Sequence, residues 1–318
     1  MERNGTLDLA RLVAAFGIVA FHAGGPGAAV GYAGLPFFLI LLVAYARPAA
    51  HVMDFGRFTI VRAHRLLQPW VIWSAIYGTL KLLEATLTGR PLSQEFNAGM
   101  ILTGPALHLW FLPFAFLVSI LLYPALRLVR PTAIVIACTL LVGTGLAMSG
   151  LQQDRLFPTP IAQWLFAGPA VCLGVALGFY QGRTVVQAMI WSIFMGIAFA
   201  AGWTAGVPQL AIAGGVFILC TLCPTHSTAF SRWASNVAMG VYLVHPLCLS
   251  VLDRVTPLKE ATVEMTVAAC ICATLLASRP DRLIWLALHK TESALSGTPR
   301  MQTGKQFVDG LKSIDSNP

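Results

Sequence analysis

The sequence predicts an all-α integral membrane protein with about ten transmembrane helices in one bundle. Of its 318 residues, 57% are hydrophobic and only 11% are charged, whereas soluble domains carry about 25% charged residues. The mean hydropathy is correspondingly high at +0.73. The formal net charge of +8 would suggest a nucleic-acid partner in a soluble protein. The chain has no RNA- or DNA-binding motif, so the positive charge is to be explained by membrane topology.

The number of predicted helices follows from the apolar runs, because a membrane span needs roughly 20 predominantly apolar residues. Gly, Pro or Arg marks most of the ends of these runs. The runs cover residues 7–24, 28–46, 69–87, 107–126, 132–150, 161–180, 185–202, 204–223, 235–252 and 262–288. The least sharply marked boundary lies between the seventh and eighth runs, around Gly202 to Gly206.

The Lys and Arg residues orient these helices, since the cytoplasmic loops of membrane proteins carry an excess of both residue types. With the N-terminus inside, 15 of the 21 lie on the inner side, five lie on the outer side, and Arg11 lies within the first helix. This distribution predicts that both termini are cytoplasmic. Residues 1–290 form the predicted membrane domain, and the polar segment 291–318 forms a predicted disordered tail.

The seven cysteines lie almost all within apolar runs, and their odd number does not favour a disulfide framework. We interpret them as small buried hydrophobic residues. The Cys220-x-x-Cys223 pair could instead be redox-active or bind a metal, but no second pair with ligand spacing accompanies it, so no metal is expected. The first run could be a cleaved signal peptide, but Asp8 and Arg11 interrupt it and a further span follows.

Three ionisable residues stand out in the first run, because charged groups inside a bilayer are costly and are usually retained for function. Arg11 and His22 are eleven positions apart, which places them on one helix face with their Cα atoms about 16 Å apart along the axis. Asp8 lies three residues before Arg11 and can support it as an ion-pair partner. His22 could be a base or a ligand facing a polar cavity, or an imidazole that only bonds a neighbouring helix.

The stretch RLVAAFGIVAFH, an Arg followed after ten residues by a His, resembles the first-helix signature of the membrane acyltransferase-3 family, the bacterial polysaccharide O-acyltransferases. Three further segments occur in the family's order: RFTIVRAHRLLQPWVIW, HLWFLPFAFLVSILLYP and NVAMGVYLVHPL. The resemblance covers residues 7 to about 250. One departure lies in the second helix, where the family commonly has Ser-Gly after paired phenylalanines and this chain reads PFFLILLVAYA. Without these small residues, the sequence leaves open how closely this helix packs and how wide the tunnel for the acyl group is, and with them which acyl group is transferred.

The resemblance implies an O-acyltransferase of the bacterial inner membrane. Such an enzyme would move an acyl group, acetyl in the first instance, from cytoplasmic acyl-CoA to a hydroxyl of a cell-envelope or exported polysaccharide or its lipid-linked precursor. Its partners would be that glycan, membrane lipids and other polysaccharide-synthesis proteins, with no nucleic acid. Acyl transfer needs a base and groups that stabilise the carbonyl oxygen. A histidine can act as that base near neutral pH, so we predict His22 as the base or acyl carrier, with Arg11 in support.

Three arginines on the predicted inner side are candidates for binding the acyl donor. Arg57, Arg62 and Arg65 belong to the segment that resembles the family's Arg-x-x-Arg motif, and arginine binds the phosphates of a donor such as acetyl-CoA well. The positive-inside bias alone also explains cations at this place. Both interpretations stay open from the sequence.

Four further residues are candidates for binding the acceptor. His245 and Tyr242 share a face of the ninth predicted span and could bind a sugar, although a hydrogen-bonded core histidine is an alternative. His108 and Trp110 lie at the start of the fourth predicted span, at its outer mouth, where aromatic residues also serve as interface anchors.

Two other functions fit the sequence less well. A transporter or flippase for a glycan or small solute would also have about ten spans with a few buried ionisable groups, but the internal symmetry typical of transporters is not visible. A catalytically inactive scaffold of a polysaccharide-synthesis complex is the second alternative. The presence of both Arg11 and His22 argues against it.

Overall fold

The structure is a computed structural model that describes residues 3–25, 27–128, 158–200, 202–203, 206–256 and 262–278, together with 132, 135 and 139. Every named element in these residues is a helix, and the only strand-like feature among them is an isolated bridge between Asn4 and His226. The all-α prediction is confirmed. Most of the predicted fifth span, the end of the last span and the predicted tail 291–318 lie outside the described residues.

The helices of the described residues follow one another with short connections. In chain order they are α1 (Gly5–Ala23), α2 (Ala28–Gly31), α3 (Gly34–Ala44), α4 (Ala46–Val52), α5 (Phe55–Thr88), α6 (Leu92–Glu95), α7 (Met100–Thr103), a 3-10 helix (Leu107–Trp110), α8 (Phe111–Leu128), α9 (Ile161–Phe179), α10 (Thr184–Ala200), α11 (Val207–Leu222), α12 (Ala229–Val255) and α13 (Thr262–Ser278).

Several of these helices have the length and composition of membrane spans. The five stretches that are long and apolar enough to cross a bilayer, within the described residues, are Gly5–Ala23, Ala28–Val52, Leu107–Arg127, Ile161–Phe179 and Ala229–Val255. The shorter apolar helices α10, α11 and α13 coincide with predicted runs, and the break between the seventh and eighth runs is present. The chain is therefore a helical membrane protein, whereas the count of ten spans and the cytoplasmic termini stay predictions.

Helix α5 differs from the predicted third span because it begins at Phe55 rather than at residue 69. The side chain of Asp54 caps its N-terminus by accepting a hydrogen bond from the backbone N–H of Arg57 at 2.9 Å. This bond keeps the pKa of the Asp54 carboxyl below its ordinary value. Hydropathy does not reveal this section, because a helix that extends beyond the hydrocarbon needs no apolar residues there. The predicted basic segment before the span is thus part of the helix.

Two groups of helices form the core that positions the site. Helix α1 packs against α12 and α13, and helix α3 packs against α9 and α11. Helix α5 packs mainly against α8. The first group has its own buried cluster of small and aliphatic residues, which allows α1, α12 and α13 to approach closely.

Close packing of the second predicted span, which its sequence left open, is present between α3 and α9. A methyl group built on Gly178 of α9 would lie 2.8 Å from the carbonyl oxygen of Ala44, and one on Gly174 would lie 3.1 Å from the Cα of Ile40. At these two points the glycines lie on α9 and face Ile40 and Ala44 of α3. Small residues let helix backbones approach closely in membranes, so these glycines allow close contact with α3 in a chain that lacks the Ser-Gly pair.

We expect the Gly178→Ala substitution to lower thermal stability, because the added methyl group would force α9 away from the backbone of Ala44. The matched control is Gly168→Ala in the same helix, where an added methyl group meets no atom within 4 Å. Without a clash, Ala in a helix is favoured over Gly by about 1 kcal/mol. The unfolding midpoint of detergent-solubilised protein, followed by intrinsic fluorescence, should fall for Gly178→Ala only. Equal midpoints for the two variants would contradict the packing argument.

Candidate active site

A buried carboxylate organises the N-terminal half of α1. Asp8 is 1% exposed, and its two oxygens form ion pairs with Arg3 at 2.6 Å and with Arg11 at 2.5 Å. The ion pair predicted from the three-residue spacing of Asp8 and Arg11 is therefore present. Arg11 also donates a hydrogen bond to the hydroxyl of Ser235 on α12 at 3.0 Å. Asp8 thus holds the Arg11 guanidinium against the neighbouring helix, and the two cations compensate the cost of burying the carboxylate.

The start of α1 is fixed to the end of α11 through backbone carbonyls. Asn4 caps α1 by accepting the N–H of Thr6 at 2.9 Å, and its amide donates to the carbonyl of Cys220 at 2.7 Å. The hydroxyl of Thr6 donates to the carbonyl of Cys223 at 2.7 Å. The described cysteines are all free thiols. The Cys220-x-x-Cys223 segment therefore contributes to the fold through its carbonyl groups.

Three histidines from distant parts of the chain meet at the other end of α1. The ring of His22 lies 5.0 Å, centroid to centroid, from that of His245 on α12. The ring of His245 lies 5.3 Å from that of His108 in the 3-10 helix. His245 is 0% exposed and His108 8% exposed, whereas His22 is exposed. The result is a row of imidazoles, which we call the histidine row, running from the surface into the core.

Two tyrosines stabilise the histidine row through hydrogen bonds and a ring contact. The hydroxyl of Tyr242 donates a hydrogen bond to the carbonyl of His108, and the hydroxyl of Tyr77 on α5 donates to the carbonyl of Leu243 at 2.9 Å. The ring of Tyr77 also meets the ring of His108 edge-on, with centroids 5.3 Å apart. Helix α5, the 3-10 helix and α12 are thereby tied together around His108 and His245. The predicted pair Tyr242 and His245 lies within the site, but the Tyr242 hydroxyl already has a protein partner.

Helices α1 and α12 run parallel, as their side-chain pairs show. Arg11 meets Ser235 and, further along both helices, His22 meets His245. Arg11 and His22 are eleven residues apart and Ser235 and His245 ten, which correspond to almost equal rises of about 16 and 15 Å. The predicted shared face of Arg11 and His22 is therefore the face toward α12, and the two residues lie at opposite ends of that contact.

The three candidate donor-binding arginines lie along the first part of α5. Arg62 is 9% exposed and places its guanidinium 5.0 Å from the ring centre of Phe58. Arg57 and Arg65 are exposed. The charge of Arg65 interacts with those of Arg62 and Arg11, so these cations belong to one region. Within the described part of the chain no carboxylate forms an ion pair with any of the three α5 arginines, which leaves their charge available to an anion.

The position of Trp110 differs from that of the other candidates. Its ring is buried and packs against Phe111 and Phe114, with centroids 6.2 and 5.7 Å away. No ring contact joins it to the histidine row within the described residues. Trp110 and His108 are both buried rather than exposed at an interface, so neither has the environment of an interfacial anchor. Nor does any group of three or more His, Cys, Asp or Glu residues in the described part form a possible metal site.

Sequence reasoning missed Ser235 and Tyr77. Ser235 lies at the first position of the predicted ninth span, where a serine is ordinary, and its role depends on the parallel contact with α1. Tyr77 lies in an apolar run and has no local feature that separates it from an interface aromatic residue. A signal for either would have required knowledge of which helices are neighbours.

We expect the Asp8→Asn substitution to destabilise the fold, because Arg3 and Arg11 would lose their shared carboxylate. The free energy of unfolding should fall by about 1 to 3 kcal/mol, less than for wholly buried pairs because both arginines reach solvent. The control is Asp54→Asn, since asparagine caps helices as well as aspartate does. Unfolding of the solubilised protein by SDS titration measures both. If the two variants have the same stability, the ion pairs around Asp8 are unimportant for the fold.

The comparison with known proteins covers nearly all of this architecture. Residues 4–278 match the family model described as an acyltransferase domain, the acyltransferase-3 model, and this range includes the Asp8–Arg11 ion pair and the histidine row. No curated protein and no solved structure matches the chain. Because the family match spans most of the 318 residues, the chain belongs to the acyltransferase-3 family of membrane acyltransferases.

Proposed function

We propose that this membrane acyltransferase is an O-acyltransferase of the bacterial inner membrane that transfers an acyl group, acetyl in the first instance, from cytoplasmic acyl-CoA to a hydroxyl of a cell-envelope or exported polysaccharide or its lipid-linked precursor. Family membership supports the acyl-transfer class. The observation that carries the proposal further is the placement of Arg11 and His22. Cations gather at one end of the α1–α12 contact and an accessible imidazole lies at the other.

In this proposal His22 acts as the base. Its lone pair takes the proton of the acceptor hydroxyl as the oxygen attacks the thioester carbonyl carbon. The carbon–sulfur bond then breaks, and the proton on His22 passes to the departing thiolate, which leaves as the free thiol of CoA. In an alternative route with the same overall reaction, the acyl group is first transferred to His22 and then from His22 to the acceptor hydroxyl. Either role needs an accessible imidazole nitrogen, which His22 has and the buried His245 does not.

The separation of Arg11 from His22 limits what Arg11 can do. A rise of about 16 Å along α1 is too long for its guanidinium to bond the carbonyl oxygen that reacts at His22. We therefore assign Arg11, together with Arg62 and Arg65, to the phosphates of the donor, with Arg57 at the edge of the same region. Acyl-CoA can bind the arginines through its phosphates and still reach His22, because its thioester lies at the end of a long pantetheine arm.

The acceptor approaches His22 from its exposed side. His108, His245 and Tyr242 form the wall behind that side. Trp110 lies behind this wall and is linked to it through Phe111, whose ring contacts both Trp110 and Tyr242. The proposed partners are thus a polysaccharide or lipid-linked oligosaccharide at the His22 end and a short acyl-CoA at the arginine end. Membrane lipids and other polysaccharide-synthesis proteins complete the proposed set. No metal takes part in the proposed reaction.

We expect replacement of His22 by Ala or Gln to lower the ester content of the surface glycans by about 100-fold or more, since general-base catalysis contributes about 10²- to 10⁴-fold. Alkali-labile esters are measured by NMR in strains with equal membrane levels of each variant. His51→Gln, at an exposed position of α4, is the control and should leave the esters unchanged. Intact esters in both His22 variants would remove His22 from the mechanism. Unchanged esters with reduced glycan export after gene deletion would favour the transporter.

We expect the double substitution of Arg62 and Arg65 by Ala to weaken acetyl-CoA binding at least about tenfold, because charge-assisted hydrogen bonds contribute about 1.5 to 3 kcal/mol each. The dissociation constant is measured by calorimetry on the purified protein. Replacing the same two residues by Lys separates fork-shaped phosphate binding, which would be lost, from a general charge effect, which would remain. Arg183→Ala, which removes another predicted inner-side cation, is the control. Unchanged affinity in the double Ala variant would leave the two arginines with a topological role alone.

A further inference from the structure

One nitrogen of the buried His245 has a partner and the other has none. Nδ1 lies 2.7 Å from the carbonyl oxygen of Tyr242. A carbonyl only accepts hydrogen bonds, so Nδ1 carries the proton, and Nε2 of the neutral ring is then an acceptor. Nε2 is buried and has no hydrogen-bond partner, in a residue that is 0% exposed. Leaving a buried acceptor unpaired is costly, which indicates that a donor reaches this nitrogen in the working protein.

His22 is placed to be that donor. Two imidazoles joined by an N–H···N bond of about 2.9 Å have ring centres about 5 Å apart, and the centres of His22 and His245 are 5.0 Å apart with an angle of 36° between the rings. The His22 ring makes ring contacts but no hydrogen bond within the described residues. It also lies in the last turn of α1 and is exposed. A rotation of the His22 ring would therefore satisfy Nε2 of His245.

We infer that His245 is a positioning residue for His22. Nε2 of His245 accepts the N–H of one His22 nitrogen, which fixes the tautomer of His22 and directs the lone pair of the other nitrogen outward. This inference rests on the proposed function of His22 as the base. A neutral imidazole has its lone pair on only one nitrogen, so an unoriented His22 would spend part of its time in the unproductive tautomer. A base that is itself oriented by a third group is a general feature of such sites.

The rest of the histidine row explains how His245 can serve this purpose. Its Nδ1 is held by its own helix through Tyr242, so its tautomer does not depend on a substrate. His108 lies on the far side of His245 and also has an unpaired Nε2, which makes it the competing donor to Nε2 of His245. If His108 filled that role, the tautomer of His22 would not respond to changes at position 245.

Two substitutions of His245 separate orientation from structural support. In Gln, the amide group lies near the position of Nε2 and can still accept the N–H of His22. In Asn, which is one carbon shorter, the amide lies near Nδ1, so it can still donate to the Tyr242 carbonyl but does not reach His22. Both variants place a polar amide in the same buried position. A purely structural role of His245 predicts that Gln, which loses the bond to the Tyr242 carbonyl, behaves no better than Asn.

The kinetic test uses inverted membrane vesicles that contain the full chain and the acceptors of the producing cell, with acetyl-CoA as the probe and thiol release as the signal. His245→Asn should lower kcat by about 100-fold, the effect of misplacing a reacting group by about 1 Å, with KM for acetyl-CoA within about twofold of the original. His245→Gln should keep kcat within about tenfold of the original. His51→Asn is the control and should change neither value. A loss of kcat in His245→Gln as large as or larger than that in His245→Asn would overturn the inference.

The tautomer of His22 gives a test that does not need activity. The full chain is labelled with ¹⁵N-histidine in lipid nanodiscs, and the His22 signals are assigned by their loss in His22→Gln. We expect one neutral tautomer of His22 in the original protein and a mixture of both in His245→Asn. The same tautomer in both proteins would overturn the inference. A tautomer change without thiol release from acetyl-CoA by the original protein would instead retain the His22–His245 pair and reject the proposed function.

Discussion

The site depends on the parallel packing of α1 against α12. In two parallel helices the residues rise by equal amounts along both axes. A contact at one end therefore determines which residues meet at the other end. The hydrogen bond from Arg11 to Ser235 sets the register, and His22 then lies beside His245. A shift of one residue along α12 would turn the partner of His22 by about 100° around the helix. The ion pairs of Asp8 therefore matter for the geometry of the histidine row, although they lie far from it.

In the proposed reaction this arrangement separates the bound cations from the histidine that transfers the proton. The described cations near Arg11 and the first part of α5 lie at one end of the α1–α12 contact, and the imidazoles lie at the other. A cation close to His22 would oppose the positive charge that the ring acquires when it takes a proton. Distance along the helix avoids that conflict. The proposed donor can still serve both ends, because its phosphates and its thioester are far apart in the molecule.

The sequence predicted those features that depend on neighbours along one helix. The pairing of Asp8 with Arg11 follows from a three-residue spacing, and the all-α class follows from composition and apolar runs. The histidine row was not predicted, because His22, His108 and His245 belong to separate elements and only the packing of α1, the 3-10 helix and α12 brings them together. The close contact between α3 and α9 was unpredicted for the same reason, because the glycines that allow it, Gly174 and Gly178, lie on a helix that is distant from α3 in the chain.

The end of α1 gives His22 a further property that the other two histidines lack. The helix ends at Ala23, and Gly24 adopts the left-handed conformation with φ 67° that commonly closes a helix. His22 thus lies in the last turn, where the carbonyl groups give the helix end a partial negative charge. In the proposed reaction this charge favours the imidazolium that forms when His22 takes the hydroxyl proton. His22 is also exposed whereas His108 and His245 are buried, so the histidine that meets the acceptor in the proposed reaction is the one that the fold leaves accessible.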